Sequence, residues 1–446
     1  MNPTAEHRKI GPVLATFMVT GAMIGSGVFM LPASLAAIGS VTALGWIATT
    51  LGALVLAAVF ARLAVLRPHR VGLFSNVLDA FGPGTAFVAA TAYWMSSWVG
   101  NAAIAVAVTG YLGFFMPALA APPVGNLVAI GLVWLFLAAT LVGPRFVASF
   151  AGGTLLIGVI PVLLVAVGGW LLFDPKIFAA SWNVSGQGTL PAVAGSMVSI
   201  FWAFTGMECG SVVASVVRNP GRNVAIATLT AVGIAATLYM LACVAIMGMI
   251  PADTLARSTA PFADAVAPFF GVVAGSLVAL CAMLKTLGTL GGITLATLET
   301  VESESLAGQL RRPGGVRAIG RAIGRASTGN ILVTGVVTTL TILASSSATL
   351  AKQYTLAIDV SVILIVVVYV AACGALWRAA GKEPTRQGRT DRIIAALAAL
   401  FSLGMIAAAE PAVLVWSGVL VAAAFLAYAV LRLRRLRLVR AGAAGG

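Results

Sequence analysis

Charge is scarce in this chain: Lys, Arg, Asp and Glu make up 9% of it, against 60% hydrophobic residues and a mean hydropathy of +1.04. A soluble domain keeps about a quarter of its positions charged, so composition excludes a soluble enzyme and makes lipid the solvent. Histidine is scarcer still, with only His7 and His69. No nucleophile and base constellation, metal-ligand spacing or phosphate-binding P-loop accompanies them, so no enzymatic activity, metal or cofactor is expected. The four cysteines (Cys209, Cys243, Cys281, Cys373) lie in apolar runs without CxxC spacing, which argues against disulfides and metal sites and leaves them as small packing residues. The basic N-terminal MNPTAEHRK runs into an apolar stretch longer than a signal-peptide core, and is read as mature chain.

What the sequence has in abundance is apolar runs of membrane-crossing length, about 20 residues for a core of about 30 Å. Twelve are marked, near 11–37, 42–66, 84–116, 124–143, 149–173, 190–213, 223–250, 270–298, 329–348, 355–377, 392–409 and 412–431. With a cytoplasmic N-terminus, every Lys and Arg except Lys176, Arg257, Lys285 and Lys352 falls on the inside. That is the positive-inside bias, and it accounts for the net charge of +14 without nucleic acid. The expected organisation is a cytoplasmic segment 1–10, a five-helix unit 11–173, a second five-helix unit 190–377, two further helices over 391–431 and a basic tail 432–446 near anionic headgroups. Both termini are cytoplasmic in this reading, and the protein is a multi-pass protein of the inner (plasma) membrane.

Two of the spans contain features that a simple span does not need. The first carries Gly21, Gly25 and Gly27 within seven residues, and each glycine weakens a helix interior by about 1 kcal/mol relative to Ala. The sixth carries Gly206 and Glu208 at mid-depth. Small residues alone can mark close helix packing, but two interruptions at corresponding places of two five-helix units point to a central binding site between them. A break at Gly25-Ser26-Gly27 exposes backbone N–H groups at a half-helix N-terminus, where an anion such as a carboxylate is favoured. Carbonyls at the opposite edges of the breaks suit an ammonium.

These segments resemble the amino acid-polyamine-organocation (APC) superfamily and, within it, the basic amino acid/polyamine antiporters. The resemblance is carried by Gly25-Ser26-Gly27-Val28-Phe29-Met30-Leu31-Pro32, by Tyr93-Trp94 through Asn101, by Ser181 to Gly186, by Trp202 through Glu208, by Arg218 to Val224 and by Ala245 to Pro251. It runs from residue 10 to about 298 and weakens beyond. It implies an all-α membrane protein of 12 transmembrane helices, a 5+5 inverted-repeat core with helices 1 and 6 broken, two extra helices and a homodimer. It also implies that Ser26 and Gly27 hold a substrate carboxylate, and that carbonyls near Met23, Trp202 and Thr205 receive the α-amine. Trp202 then stacks on a cationic head, with Asn101 in the same site, while Tyr93 is a gate residue and Glu208 a proton-sensitive carboxylate. An indole face over a desolvated cation contributes about 2 kcal/mol, although a membrane Trp is also a common interfacial anchor.

Three ionisable residues fall inside spans, where charge is costly and functional by default: Glu208, Lys285 and Asp359. Leaving water favours the neutral form of a lone carboxylate, which makes Glu208 and Asp359 candidate proton carriers. Lys285 is expected to couple charge by balancing one of these acids. Departures from the family pattern concern the substrate: Ala22 stands for an amide, Ile293 for a second aromatic of the cation site, and Asp359 and Lys285 for small or neutral residues. Asp359 would supply a charge-assisted bond to an amine or guanidinium. The segment Leu306 to Thr328 replaces a short connection with one carrying five arginines. The function so implied is exchange of an arginine-like cationic amino acid for its agmatine-like amine by alternating access. The alternatives are a proton-coupled uptake permease for cationic amino acids or polyamines, and an amino-acid receptor without transport.

Overall fold

The computed structural model describes residues 10–66, 73–209, 217–302, 328–381 and 385–443. The first nine residues, Arg67, Arg70 and the five-arginine segment lie outside them. Among the described residues the fold is all helical apart from one isolated bridge, Ile10 with Val217.

Proline sets many of the helix starts. α1 (Pro12–Met23), α5 (Pro83–Phe115), α7 (Pro144–Leu163), α8 (Pro175–Ala180) and α10 (Pro220–Met249) all begin with it. At a first helical position the missing N–H has no helical partner to lose and φ is already helical. The remaining principal helices are α2 (Ser26–Ala36), α3 (Thr42–Leu66), α4 (Leu73–Phe81), α6 (Val124–Val142), α9 (Thr189–Phe201), α11 (Ala252–Leu255), α12 (Pro261–Glu302), α13 (Thr328–Ala344), α14 (Leu350–Ala380), α15 (Arg386–Ala408) and α16 (Pro411–Ala443).

Nine helices among the described residues are long and apolar enough to cross a membrane, and α1 with α2, bent by 46°, make a tenth span. The expected twelve is reached only if the shorter apolar helices near Thr189–Phe204 and Thr328–Ala344 are counted too. Most expected boundaries fall within a few residues of the observed ones. The eighth span starts where its apolar length predicts: α12 is two helices that meet at Gly271, which stands at φ 83°, ψ 165°, backbone angles that glycine adopts without a Cβ penalty.

Small residues set the packing around the centre. Gly158 of α7 lies against the stem of Lys285, Gly288 of α12 against Thr154, and Gly291 against Phe136 of α6. Such contacts let apolar helices approach closely, which is how they associate in lipid. At one end of the bundle, Arg62 of α3 forms a two-pronged ion pair with buried Asp391 of α15, at 2.7 and 2.9 Å. The four cysteines are free thiols.

Candidate functional site

The two interruptions meet. Between α1 and α2, Ile24 and Gly25 are extended (ψ 97° and −152°). After α9, a 3-10 turn Trp202–Phe204 leads to extended Thr205 (ψ 140°) and to Gly206 at φ 101°. A Cβ on Gly206 would stand 2.9 Å from the Ala22 carbonyl oxygen, so the loosened backbone of one span lies against that of the other. Ser26 opens α2 with its hydroxyl buried beside that of Tyr354, next to N–H groups that have no intrahelical acceptor.

Trp202 roofs this junction. Its indole passes Gly27, where a Cβ would be 3.1 Å away, and its far edge reaches Gly100 of α5, where a Cβ would be 2.7 Å away. Neither glycine tolerates a larger side chain without moving the ring. Tyr354 of α14 donates to the Ser26 carbonyl at 3.4 Å, which ties α14 to the same break. Met23 is buried at the end of α1. The Trp202 carbonyl, expected to receive an amine, already accepts from the Thr205 N–H at 3.2 Å and the Thr205 hydroxyl at 2.7 Å. Both its lone pairs are taken, so this carbonyl is not open to an amine.

Asp359 is buried in α14 and accepts from Ser199 of α9 at 2.7 Å, through one oxygen only. Ser199 lies one turn before Trp202. Asn101 donates to Thr297 at 3.2 Å, while its carbonyl oxygen is buried without a described partner. Ile293, one turn before Thr297, is half-buried and offers no π face. A cation near this junction therefore meets the Trp202 ring, the Asp359 carboxylate and the buried Asn101 amide oxygen.

Glu208 does a different job. One of its oxygens accepts from Tyr93 of α5 at 3.0 Å, and the other accepts from Tyr369 of α14 at 2.6 Å and from the Gly206 N–H at 3.0 Å. The carboxylate thus pins two helices to the break after α9. The sequence reading singled out Tyr93 and Glu208 but missed Tyr369, as well as Tyr354 and Ser199. A hydroxyl-bearing residue inside a run as apolar as that of α14 was the available signal.

The expected pairing of Lys285 with a buried acid is not found. Its ammonium donates to Thr289 at 3.1 Å, and no described carboxylate lies within ion-pair distance. Glu208 is already held by neutral donors and Asp359 by Ser199. Among the described residues no group of three or more His, Cys, Asp or Glu is placed to hold a metal ion. An apolar cavity of about 220 Å³ lies between α5, α13, α14 and α16, lined by Trp98, Val360, Trp416 and Leu420 among others. None of its lining residues comes from the two breaks, and it offers a cation no carboxylate.

The sequence profile of the amino acid permease family matches residues 10–433. The cadaverine/lysine antiporter of Escherichia coli (strain K12) is 35% identical over 275 residues, which are 62% of this chain and 62% of that protein. The match therefore spans less than two thirds of that relative's length. The putrescine transporter PotE of the same strain is 28% identical over 405 residues, 89% of this chain and 90% of the relative. Its Haemophilus influenzae counterpart is 29% identical over 415 residues, 92% and 94% of the two chains. The first break, the second break and the helices that carry Asn101, Lys285 and Asp359 all lie inside the profile match, and the chain belongs to the amino acid permease family.

Proposed function

We propose that this protein is a secondary exchanger that takes up a cationic amino acid and releases the corresponding decarboxylated amine across the inner membrane. The supporting observation is the junction of the two breaks, with a helix N-terminus and the buried Ser26 hydroxyl on one side and Trp202 and Asp359 on the other. A zwitterionic head with a positive tail satisfies both ends. Its carboxylate lies at Ser26 and Gly27, its α-amine on the carbonyls near Met23 and Thr205, and its distal cation under Trp202 with Asp359 or Asn101.

The names of the relatives favour lysine with cadaverine, or ornithine with putrescine, as the pairs to test first. Arginine with agmatine belongs in the same panel, although Ile293 removes one aromatic face from a guanidinium. Glu208, Tyr93 and Tyr369 form the gate on one side of the site. In this reading the core is a 5+5 inverted repeat, both termini are cytoplasmic and two copies assemble as a dimer.

The test is uptake of labelled lysine into proteoliposomes preloaded with cadaverine, putrescine, agmatine or nothing. Exchange requires an internal amine. Full uptake into empty vesicles driven by a proton gradient would replace it with an uptake permease, and saturable binding without flux would replace it with a receptor.

A further inference from the structure

Lys285 sits within α12 with 4% of its surface exposed, and an ammonium in an apolar span is costly unless something answers its charge. Its stem lies against Gly158, which leaves no room for the chain to turn that way. The ammonium is directed instead to Thr289, its one described partner, at 3.1 Å. The Thr289 hydroxyl in turn donates to the Lys285 carbonyl at 3.0 Å. An ammonium has three donors, and Thr289 accounts for one.

Thr289 faces the first break. Its methyl lies 3.1 Å and its hydroxyl oxygen 3.6 Å from the point where a Cβ on Gly25 would stand. Gly25 caps α2, and the next residue is Ser26 with its buried hydroxyl beside that of Tyr354. A helix N-terminus, a buried hydroxyl and a positive charge without a described counter-ion thus converge on one place. All three favour an anion, and only Lys285 carries a full charge.

We infer that Lys285 is a specificity-determining residue that favours substrates bearing a carboxylate over their decarboxylated amines at the same site; this rests on the substrate reading proposed above. An amino acid turns its negative end towards Lys285 and its positive tail away from it. The amine has no negative end, and its nearer ammonium meets a like charge across a medium that screens poorly. The same pocket therefore holds the amino acid more tightly and lets the amine go.

The experiment is equilibrium binding of lysine, cadaverine and lysinamide to purified wild-type protein, Lys285→Gln and Lys285→Arg. Lysinamide keeps the size of lysine but not the carboxylate charge. The preference for lysine over cadaverine is expected to fall about tenfold or more in Lys285→Gln, to be retained in Lys285→Arg, and lysinamide is expected to behave as cadaverine does. An unchanged preference in a Lys285→Gln protein that still binds lysine overturns the inference and leaves the substrate reading standing. If Lys285→Gln does not fold, Thr289→Val decides, since it keeps the charge and removes its described anchor. There the preference falls by about threefold, the scale of one hydrogen bond, and no change overturns the inference. Wild-type protein that binds neither lysine nor cadaverine overturns the substrate reading and this inference together.

Discussion

Tyr369 donates a 2.6 Å hydrogen bond to Glu208, joining α14 to the break after α9 across 161 residues of sequence. Tyr93 reaches the other oxygen of the same carboxylate from α5. Bonds to a charged acceptor contribute about 1.5 to 3 kcal/mol each. If these bonds form the proposed gate, Tyr369→Phe weakens one side of it, and labelled substrate should leak from loaded proteoliposomes without an external exchange partner. Wild-type retention in Tyr369→Phe would remove Glu208 and its tyrosines from the gating role.

Glu208→Gln keeps the size of the side chain and removes its charge. In the proposed gate the two tyrosines then meet a neutral acceptor, and a bond to a neutral group is weaker than one to a charged group. Labelled substrate should therefore leak from loaded proteoliposomes faster than through the wild type. A variant with the wild-type leak rate would remove the Glu208 charge from the gating role.

The Trp202 indole lies over the junction of the two breaks, against Gly27 and Gly100. Trp202→Leu should weaken cadaverine binding by about thirtyfold, the equivalent of about 2 kcal/mol, whereas Trp202→Phe retains part of it. Isothermal titration or ligand-protected melting would measure this. Equal affinity in Trp202→Leu would show that the indole only packs against Gly27 and Gly100.

Gly206 is held at φ 101° with the Ala22 carbonyl 2.9 Å from where a Cβ would stand. Gly206→Ala adds about 1 to 2 kcal/mol of backbone strain and pushes the two breaks apart. Substrate affinity should fall more steeply than thermal stability. Arg62→Ala acts in the opposite sense. It leaves Asp391 buried with Gln387 alone beside it, and melting should drop by the equivalent of about 2 to 4 kcal/mol, discounted because Arg62 is 23% exposed. Binding by the folded fraction should not change.

Much of this architecture is legible in the sequence because lipid enforces simple rules. Apolar length gave the spans, and glycine clusters gave the interruptions at residues 25 and 206. The start of the eighth span near residue 270 coincides with the break at Gly271, although nothing in the sequence marks that glycine's φ. The partners of buried polar groups were the least legible. Lys285 and the two buried acids read as natural partners in one dimension, yet Ser199 and two tyrosines satisfy the acids from other helices. Tyrosines 354 and 369 carry no period or spacing that marks them, since their roles arise only where α14 crosses the breaks.

Obligatory exchange of charge-mismatched partners, as proposed, makes transport depend on the membrane potential. Labelled lysine uptake is followed into proteoliposomes filled with cadaverine, with the membrane potential clamped by valinomycin and potassium. Lysine enters with one positive charge and cadaverine leaves with two, so each cycle moves one positive charge outward. Uptake is predicted to require internal cadaverine and to quicken when the interior is made positive. Uptake that proceeds at full rate into empty vesicles, or that quickens when the interior is made negative, would contradict it.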